Sequence, residues 1–504
     1  MNWADTIRYW ARWQGDNVAV RFGARDITWS ELERSGRELA AGLAARGIGR
    51  GDRVGILLSN RPEFVDTIVA CMQLGAIGVP FNLRFTPPEL AYVAQNAGCS
   101  AIITEASLRG GLGLACDRLP NLFVLDADDG SLAAAHITGA PAPEGSLDPE
   151  DPLFICFTSG TTGDPKGAVL THRSWFYAAM CRAMQGGINL HDRILLPFPM
   201  AFTGGLALVM TSLWSGARLV LEPSFEPGYA LELIERERIT VFMAVPTLFK
   251  LMADHPNFAS TDLSSLRCAS SGGATVPVPL LQVYLDRGIT MTQAYSLTEV
   301  SASGITLPYH QTMERVGSCG VPAMHSQARI VDTDGNEVPP GTVGEIVIKG
   351  PEVMTGYWNN PDATAAALRD GWCHTGDLGT MDADGYFYVV DRAKDMLISG
   401  GLNVYPAEIE RQLATIDGIV ELAVIGVPDD LWGETPAVIA VAPGVSLDGK
   451  TIVDACRGIL SDFKIPRYLV VRDEPLPRNM SGKVLKADLR KQYADLPTTA
   501  TPIR

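Results

Sequence analysis

The segment Thr158-Ser159-Gly160-Thr161-Thr162-Gly163-Asp164-Pro165-Lys166-Gly167 concentrates hydroxyls, glycines and one lysine. These residue types handle phosphate. Glycine lets backbone N–H groups turn toward an anion, hydroxyls add donors, and Lys166 brings a compact positive charge. The apolar run Leu153-Phe154-Ile155-Cys156-Phe157 just before it reads as a buried strand, so the loop is expected to leave the end of a sheet. It is not the P-loop of nucleoside triphosphatases, because Pro165 precedes Lys166 and Gly167 follows it. Taken alone, a solvated turn of small polar residues accounts for the run equally well.

The elements that must hold such a loop alternate between strand and helix. Thr28-Trp29-Ser30-Glu31 has the spacing of a capping box, with Leu32, Leu39 and Leu43 following on one helical face. Val54 to Leu58 reads as a strand, Pro62 as a helix start and Gly75 as that helix's stop before another short strand. The pattern continues through Leu219-Val220-Leu221, a helix around Leu231 to Ile239, and a strand from Val241 to Val245. Such alternation builds parallel sheets covered by helices.

After about residue 320, Asp334-Gly335, Pro339-Pro340-Gly341 and Asp384-Gly385 punctuate short strands at Gly344 to Ile348 and Tyr386 to Val390. A small β-rich subdomain is expected there. Beyond Asp391 come a strand from Met396 to Ile398, a helix start at Pro406, strands from Val420 to Val427 and Ala437 to Val441, and a helix through Cys456 to Leu460. The expected fold is therefore α/β: a large N-terminal domain with parallel sheets and a β-rich subdomain, residues 1–391, then a small mobile α+β domain, residues 396–504. The boundary falls in the charged stretch from Asp391 to Asp395, expected to be exposed.

At 504 residues the chain exceeds one ordinary core, and 46% apolar with 19% charged residues is a globular composition. A formal net charge of −16 disfavours nucleic acid and offers no polybasic patch to an anionic membrane, so a small-molecule substrate is favoured. The start, Met1-Asn2-Trp3-Ala4-Asp5, has no signal-peptide character, and no apolar stretch is long enough to span a bilayer. Nine scattered cysteines without a Cys-x-x-Cys pair read as free thiols. A cytoplasmic location is expected.

Five further motifs give the loop its meaning: Ser271-Gly272-Gly273-Ala274, Tyr295-Ser296-Leu297-Thr298-Glu299, Thr375-Gly376-Asp377, Asp391-Arg392-Ala393-Lys394-Asp395 and Pro477-Arg478-Asn479-Met480-Ser481-Gly482-Lys483. In this order and at these intervals, the chain resembles the adenylate-forming superfamily of acyl- and aryl-CoA synthetases, luciferases and nonribosomal adenylation domains. The resemblance implies ATP, Mg²⁺ and coenzyme A as co-substrates and cofactors, with a carboxylic acid activated as its adenylate. Such a site must neutralise a pentavalent α-phosphate and direct the departure of pyrophosphate.

Residue by residue, the resemblance implies that Thr158, Ser159, Gly160, Thr161, Thr162 and Lys166 grip the pyrophosphate side of ATP. Glu299 would hold Mg²⁺, and Thr298 would donate to the α-phosphate. Tyr295 would pack beside adenine, with Gly272, Gly273 and Ala274 allowing close approach to the backbone. Asp377 would accept from the ribose hydroxyls, Val389 would line the base, and Arg392 would hold the nucleotide. Lys483 would bridge the substrate carboxylate and α-phosphate. Lys394 falls on the hinge, residues 392–395, about which the small domain alternates between adenylation and thiolation. Coenzyme A would meet Gly400, Gly401, Trp432, Phe463 and Lys464, although Trp432 and Phe463 fit core aromatics equally well.

Departures from the family pattern fall around the acyl group. Ser296 stands where glycine is usual, and Leu402 replaces the glutamate of Gly-Gly-Glu-Asn. Ala201-Phe202 replaces the common Phe-His pair in Pro199-Met200-Ala201-Phe202-Thr203-Gly204-Gly205. With Phe202 as gate, Ala201, Gly204 and Gly205 remove bulk, so a roomy apolar pocket bounded by Ala201, Phe202, Gly204, Ser271 and Ser296 is expected, suited to a hydrophobic, fatty or cyclic acid. The leading expectation is an ATP-dependent acyl-CoA synthetase. An enzyme loading a carrier protein, a specialist that thioesterifies a preformed adenylate, a luciferase-like oxidation and a non-enzymatic binder are the alternatives. Retention of Glu299, Arg392 and Lys483 counts against the specialist, and that of Glu299 and Lys483 against the binder. The expected partners are the acid, ATP and coenzyme A, without nucleic acid or integral membrane contact, and a homodimer is left open.

Overall fold

The capping box at Thr28 forms: its hydroxyl accepts from Glu31 N–H, and the Glu31 carboxylate accepts from Thr28 N–H at 2.8 Å. The helix it starts, Trp29–Ala44, buries Leu32, Leu39 and Leu43. Proline opens the helix Pro62–Leu74, and Gly75 closes it in the left-handed region at φ 71°. These elements belong to a computed structural model that describes residues 2–504 apart from 142–146, 159–164, 275, 400–401, 430, 446 and 479–483. The chain divides into two compact units, Met1–Ala328 with Ile348–His374, and Arg329–Val347 with Thr375–Arg504.

The first unit holds two large sheets. In the nine-stranded one, Met291–Ser296, Cys268–Gly272, Val241–Ala244, Arg193–Leu196, Arg218–Leu221 and Val18–Phe22 run parallel in that order. Antiparallel strands close both sides: Gly304–Thr306 and Val321–Pro322 on one, Arg25–Thr28 on the other. In the seven-stranded sheet, Pro152–Thr158, Ile77–Pro80, Arg53–Leu57, Cys99–Thr104 and Phe123–Asp126 are parallel. Lys166–Thr171 and Gly356–Tyr357 extend its edge antiparallel. One apolar core contains side chains of both sheets, including Ile56 and Phe154 from one and Ile194 and Leu219 from the other. This is the mixed α/β architecture expected from the alternating pattern.

In the second unit, Phe387–Arg392 pairs antiparallel with the end of strand Trp372–Met381, setting Asp377 opposite Arg392. A further sheet orders Leu402–Val404, Leu397–Ser399, Gly433–Val441 and Glu421–Asp429, with Tyr468–Arg472 parallel to Gly433–Val441. Alternation along its central strand builds two cores. Val438 and Ala440 pack with Ile409, Leu413 and Ile452, whereas Ala437, Ile439 and Val441 pack with Leu489 and Leu496.

Three local expectations are corrected. The helix expected around Leu231 to Ile239 is Pro227–Arg236, started by Pro227 and by Glu226 accepting from Gly228 N–H and Tyr229 N–H. The helix expected through Cys456 to Leu460 is Gly449–Cys456; Arg457 is extended and Gly458 has φ 78°, so the chain turns away. Asp391, expected to be exposed, is buried at the end of its strand, where its carboxylate accepts from Arg392 N–H at 2.7 Å and Ala407 N–H at 2.8 Å. Among the described residues no helix is long and apolar enough to cross a membrane.

Candidate active site

Parallel strands deliver the candidate residues of the first unit to one edge. Cys268–Gly272 and Met291–Ser296 are neighbours in parallel register, Gly272 opposite Ala294, so Ser271-Gly272-Gly273 and Tyr295-Ser296 leave the same carboxyl ends of the sheet. Gly273 takes φ 82°, a left-handed turn that glycine allows without strain. A short 3₁₀ turn, Thr298–Val300, carries Thr298 and Glu299 immediately beyond. Thr298 Oγ1 lies 2.8 Å from Thr203 Oγ1, tying this turn to the first residue of helix Thr203–Ser215.

The phosphate-type loop springs from a hairpin of the other sheet, in which Thr158 is opposite Lys166. Ser159, Gly160, Thr161 and Thr162 lie outside the described residues, as do Gly400, Gly401 and Lys483. Lys166 is described, and its ammonium sits 5.6 Å from the centre of the Tyr357 ring. The Tyr357 hydroxyl donates to Glu299 Oε1 at 2.7 Å. Burial, reinforced by the Glu299 charge, raises the phenol's pKa, so Tyr357 stays protonated and serves as donor. Burial, with the same charge adding to it, pushes the Cys156 thiol up to about 12, leaving it an inert neighbour.

Glu299 is a fitting magnesium ligand. Tyr357 uses one lone pair of Oε1, and the carboxylate retains further acceptor capacity. Among the described residues no group of three or more His, Cys, Asp or Glu side chains gathers as a self-sufficient metal cage. Magnesium held by one or two carboxylates and completed by nucleotide phosphates needs no such cage.

The acyl-side residues differ in what they leave open. Phe202 caps helix Thr203–Ser215 and, like Ala201, is half-buried. A side chain at Gly204 would meet nothing within 4 Å. One at Gly205 would lie 2.3 Å from Pro199 O, so Gly205 permits backbone packing and adds no pocket space, contrary to the expectation from sequence. Ser271 is buried, and among the described residues its hydroxyl has no hydrogen-bond partner. Ser296 stands opposite Gly304 in the antiparallel pairing.

Within the second unit, Asp377 and Arg392 face each other across the hairpin, with Arg392 Nε 3.2 Å from Asp377 Oδ1. Thr375 Oγ1 accepts from Asp377 N–H at 3.1 Å and donates to Ile346 O at 2.7 Å, fixing the turn that presents the carboxylate. Val389 lies on the same hairpin opposite Gly379 and is half-buried. Lys394 is exposed, between Ala393 N–H, which donates to Gly376 O, and Asp395 N–H, which donates to Arg392 O. Asp395 in turn pairs with Arg490 at 2.6 Å.

Trp432 is 43% exposed, so it is not a core aromatic. Phe463 does pack against the apolar core, and Lys464 pairs with Glu408 at 2.7 Å. Sequence reasoning missed Tyr357, Thr203 and Glu434, whose Oε2 accepts from Ile398 N–H at 2.9 Å. Thr203, directly after Phe202, and Glu434, within Trp432-Gly433-Glu434, carried a positional hint, whereas Tyr357 carried none.

Residues 7–358 match the AMP-binding enzyme family, and residues 408–483 match the AMP-binding enzyme C-terminal domain. A feruloyl-CoA synthase from an Amycolatopsis species is 41% identical over 486 residues, covering 96% of this chain and 97% of that protein. A long-chain-fatty-acid–CoA ligase of Mycobacterium tuberculosis is 37% identical over 471 residues, covering 93% of each. The solved structure of Bacillus subtilis O-succinylbenzoate coenzyme A synthetase in complex with ATP and magnesium ion aligns with a TM-score of 0.87 at 31% identity, covering 97% of this chain and 99% of that one. The chain belongs to the AMP-binding enzyme family and is an adenylate-forming enzyme of the acyl-CoA synthetase type.

Proposed function

We propose that this enzyme joins a hydrophobic carboxylic acid, fatty or bulky and cyclic, to coenzyme A in two steps. In the first, a carboxylate oxygen of the acid attacks the α-phosphorus of ATP, the α–β phosphoanhydride bond breaks, and pyrophosphate leaves with the electron pair. In the second, the coenzyme A thiol attacks the acyl carbon, the bond to AMP breaks, and the thiol proton passes to solvent. Magnesium, when bound, neutralises phosphate charge. Glu299 holds that charge in place, Thr298 donates to the α-phosphate, and Lys166 with the hydroxyl-rich loop grips the leaving pyrophosphate. Asp377 and Arg392 bind the ribose and nucleotide, and Lys483 bridges carboxylate and α-phosphate during the first step.

The observation that supports the substrate reading is the open space at Gly204 beside Phe202, where a side chain would meet nothing within 4 Å. Relatives named for feruloyl and long-chain fatty acids support an apolar acid of some bulk. Thiolation requires a second arrangement of the C-terminal domain, residues 396–504, about a hinge at 392–395, in which Gly400, Gly401, Trp432 and Lys464 meet coenzyme A. The exposed Trp432 is consistent with that use. Competition between acetate and a panel of aryl, cyclic and long-chain acids tests the pocket. Bulky acids should have kcat/KM at least about tenfold above acetate, as expected from ~1–3 kcal/mol per methylene-sized contact; preference for acetate contradicts the reading.

A further inference from the structure

Tyr357 lies 58 residues beyond Glu299 in the chain, on an edge strand of the seven-stranded sheet, whereas Glu299 lies on a 3₁₀ turn, yet the Tyr357 hydroxyl donates to the Glu299 carboxylate at 2.7 Å. Its ring faces the Lys166 ammonium at 5.6 Å. The backbone makes both contacts specific. Gly356–Tyr357 pairs with Lys166–Thr171, Tyr357 opposite Ala168, and Trp358 N–H donates to Gly167 O at 2.7 Å. Nearby, Met354 N–H donates to Glu299 O at 2.8 Å. One short strand thus touches both the base of the phosphate-gripping loop and the turn that carries the metal carboxylate.

We propose that Tyr357 is a positioning residue that orients the Glu299 carboxylate for magnesium and holds Lys166 at a fixed distance from it; the inference rests on the magnesium role assigned to Glu299 above. A carboxylate fixed by a hydrogen bond to one oxygen presents its remaining lone pairs in a single direction, whereas a free one samples several. The ring beside Lys166 favours the ammonium's position without neutralising it, so its charge remains available to phosphate.

The test is calorimetric titration of the full chain with ATP, once with EDTA and once with MgCl₂, for wild type and Tyr357→Phe. The phenylalanine keeps the ring beside Lys166 and removes only the hydroxyl. Tyr357→Phe should leave binding of metal-free ATP unchanged and weaken binding in the presence of magnesium about tenfold, the scale at which groups behind a metal ligand act. In a Glu299→Gln background the same change should have no further effect. Unaltered magnesium dependence in Tyr357→Phe, equal weakening in both arms, or full additivity with Glu299→Gln would overturn the proposal. Wild type that binds ATP identically with and without magnesium would instead overturn the role of Glu299 itself.

Discussion

Glu299 and Thr298 sit on one 3₁₀ turn because the parallel strand Met291–Ser296 ends immediately before them, and that placement gives each a separable role. Replacing Glu299 with glutamine removes the charge proposed to complement magnesium while keeping the side chain's shape. Pyrophosphate release should fall about 10²–10³-fold, the usual cost of losing a preorganised electrostatic group; a loss below about threefold would contradict the assignment. Lys483→Ala should suppress adenylation and spare thioester formation from supplied acyl-adenylate, and equal loss of both half-reactions would contradict its role. At this scale the sequence pointed to the candidate residues through short motifs. Thr298, Glu299, Asp377 and Arg392 occur in short motifs whose chemistry is local. Tyr357 was not legible, because its contact with Glu299 depends on a two-residue edge strand pairing beside Lys166, which no periodicity announces.

Elements explain why adjacent glycines are not equivalent. Gly204 and Gly205 open the same helix, but an alanine methyl at 205 would collide with Pro199 O, whereas at 204 it would enter open space. Gly205→Ala should lower unfolding stability by about 1–3 kcal/mol, as overpacking does. Gly204→Ala should leave stability unchanged and lower activity toward the bulkiest acids; denaturant melts and acid competition separate the two. On the neighbouring helix His172–Gly186, the buried His172 ring has no hydrogen-bond partner among the described residues, and burial lowers its pKa to about 4 from 6.5. The native ring resists the proton that the unfolded chain accepts. Its contribution is therefore full above pH 6.5 and lost as pH falls toward 4, by at most about 3 kcal/mol. His172→Leu should flatten stability across that window, and an unchanged pH slope would contradict the linkage. The helix starts at Thr28 and Pro62 were legible, whereas the one at Pro227 was missed although Glu226 and Pro227 announce it. The ends near Arg236 and Cys456 were not legible, since apolar residues continue past both.

At the scale of the whole molecule, the account requires one enzyme to perform two chemistries in sequence. The alternation proposed at 392–395 gives this a local test. Lys394 is exposed, and the amides on either side of it, Ala393 N–H and Asp395 N–H, donate to Gly376 O and Arg392 O, so proline at 394 restricts rotation without removing either bond. Lys394→Pro should retain a first round of pyrophosphate release and reduce thioester formation at least about tenfold through the gated step; equal reduction of both would contradict a hinge. The sequence made the large α/β part readable through its alternating pattern, and the turns at Gly335 and Gly385 through their Asp-Gly pairs. The burial of Asp391 escaped it, because the acceptance of Ala407 N–H joins residues sixteen apart that look independently solvated. The measurement that bears most directly on the central claim follows pyrophosphate and acyl-CoA separately in one reaction of the full chain with ATP, Mg²⁺, coenzyme A and a series of carboxylic acids. The account predicts acid-dependent pyrophosphate and an equal yield of thioester with bulky hydrophobic acids; pyrophosphate without thioester, or thioester only from supplied acyl-adenylate, would contradict it.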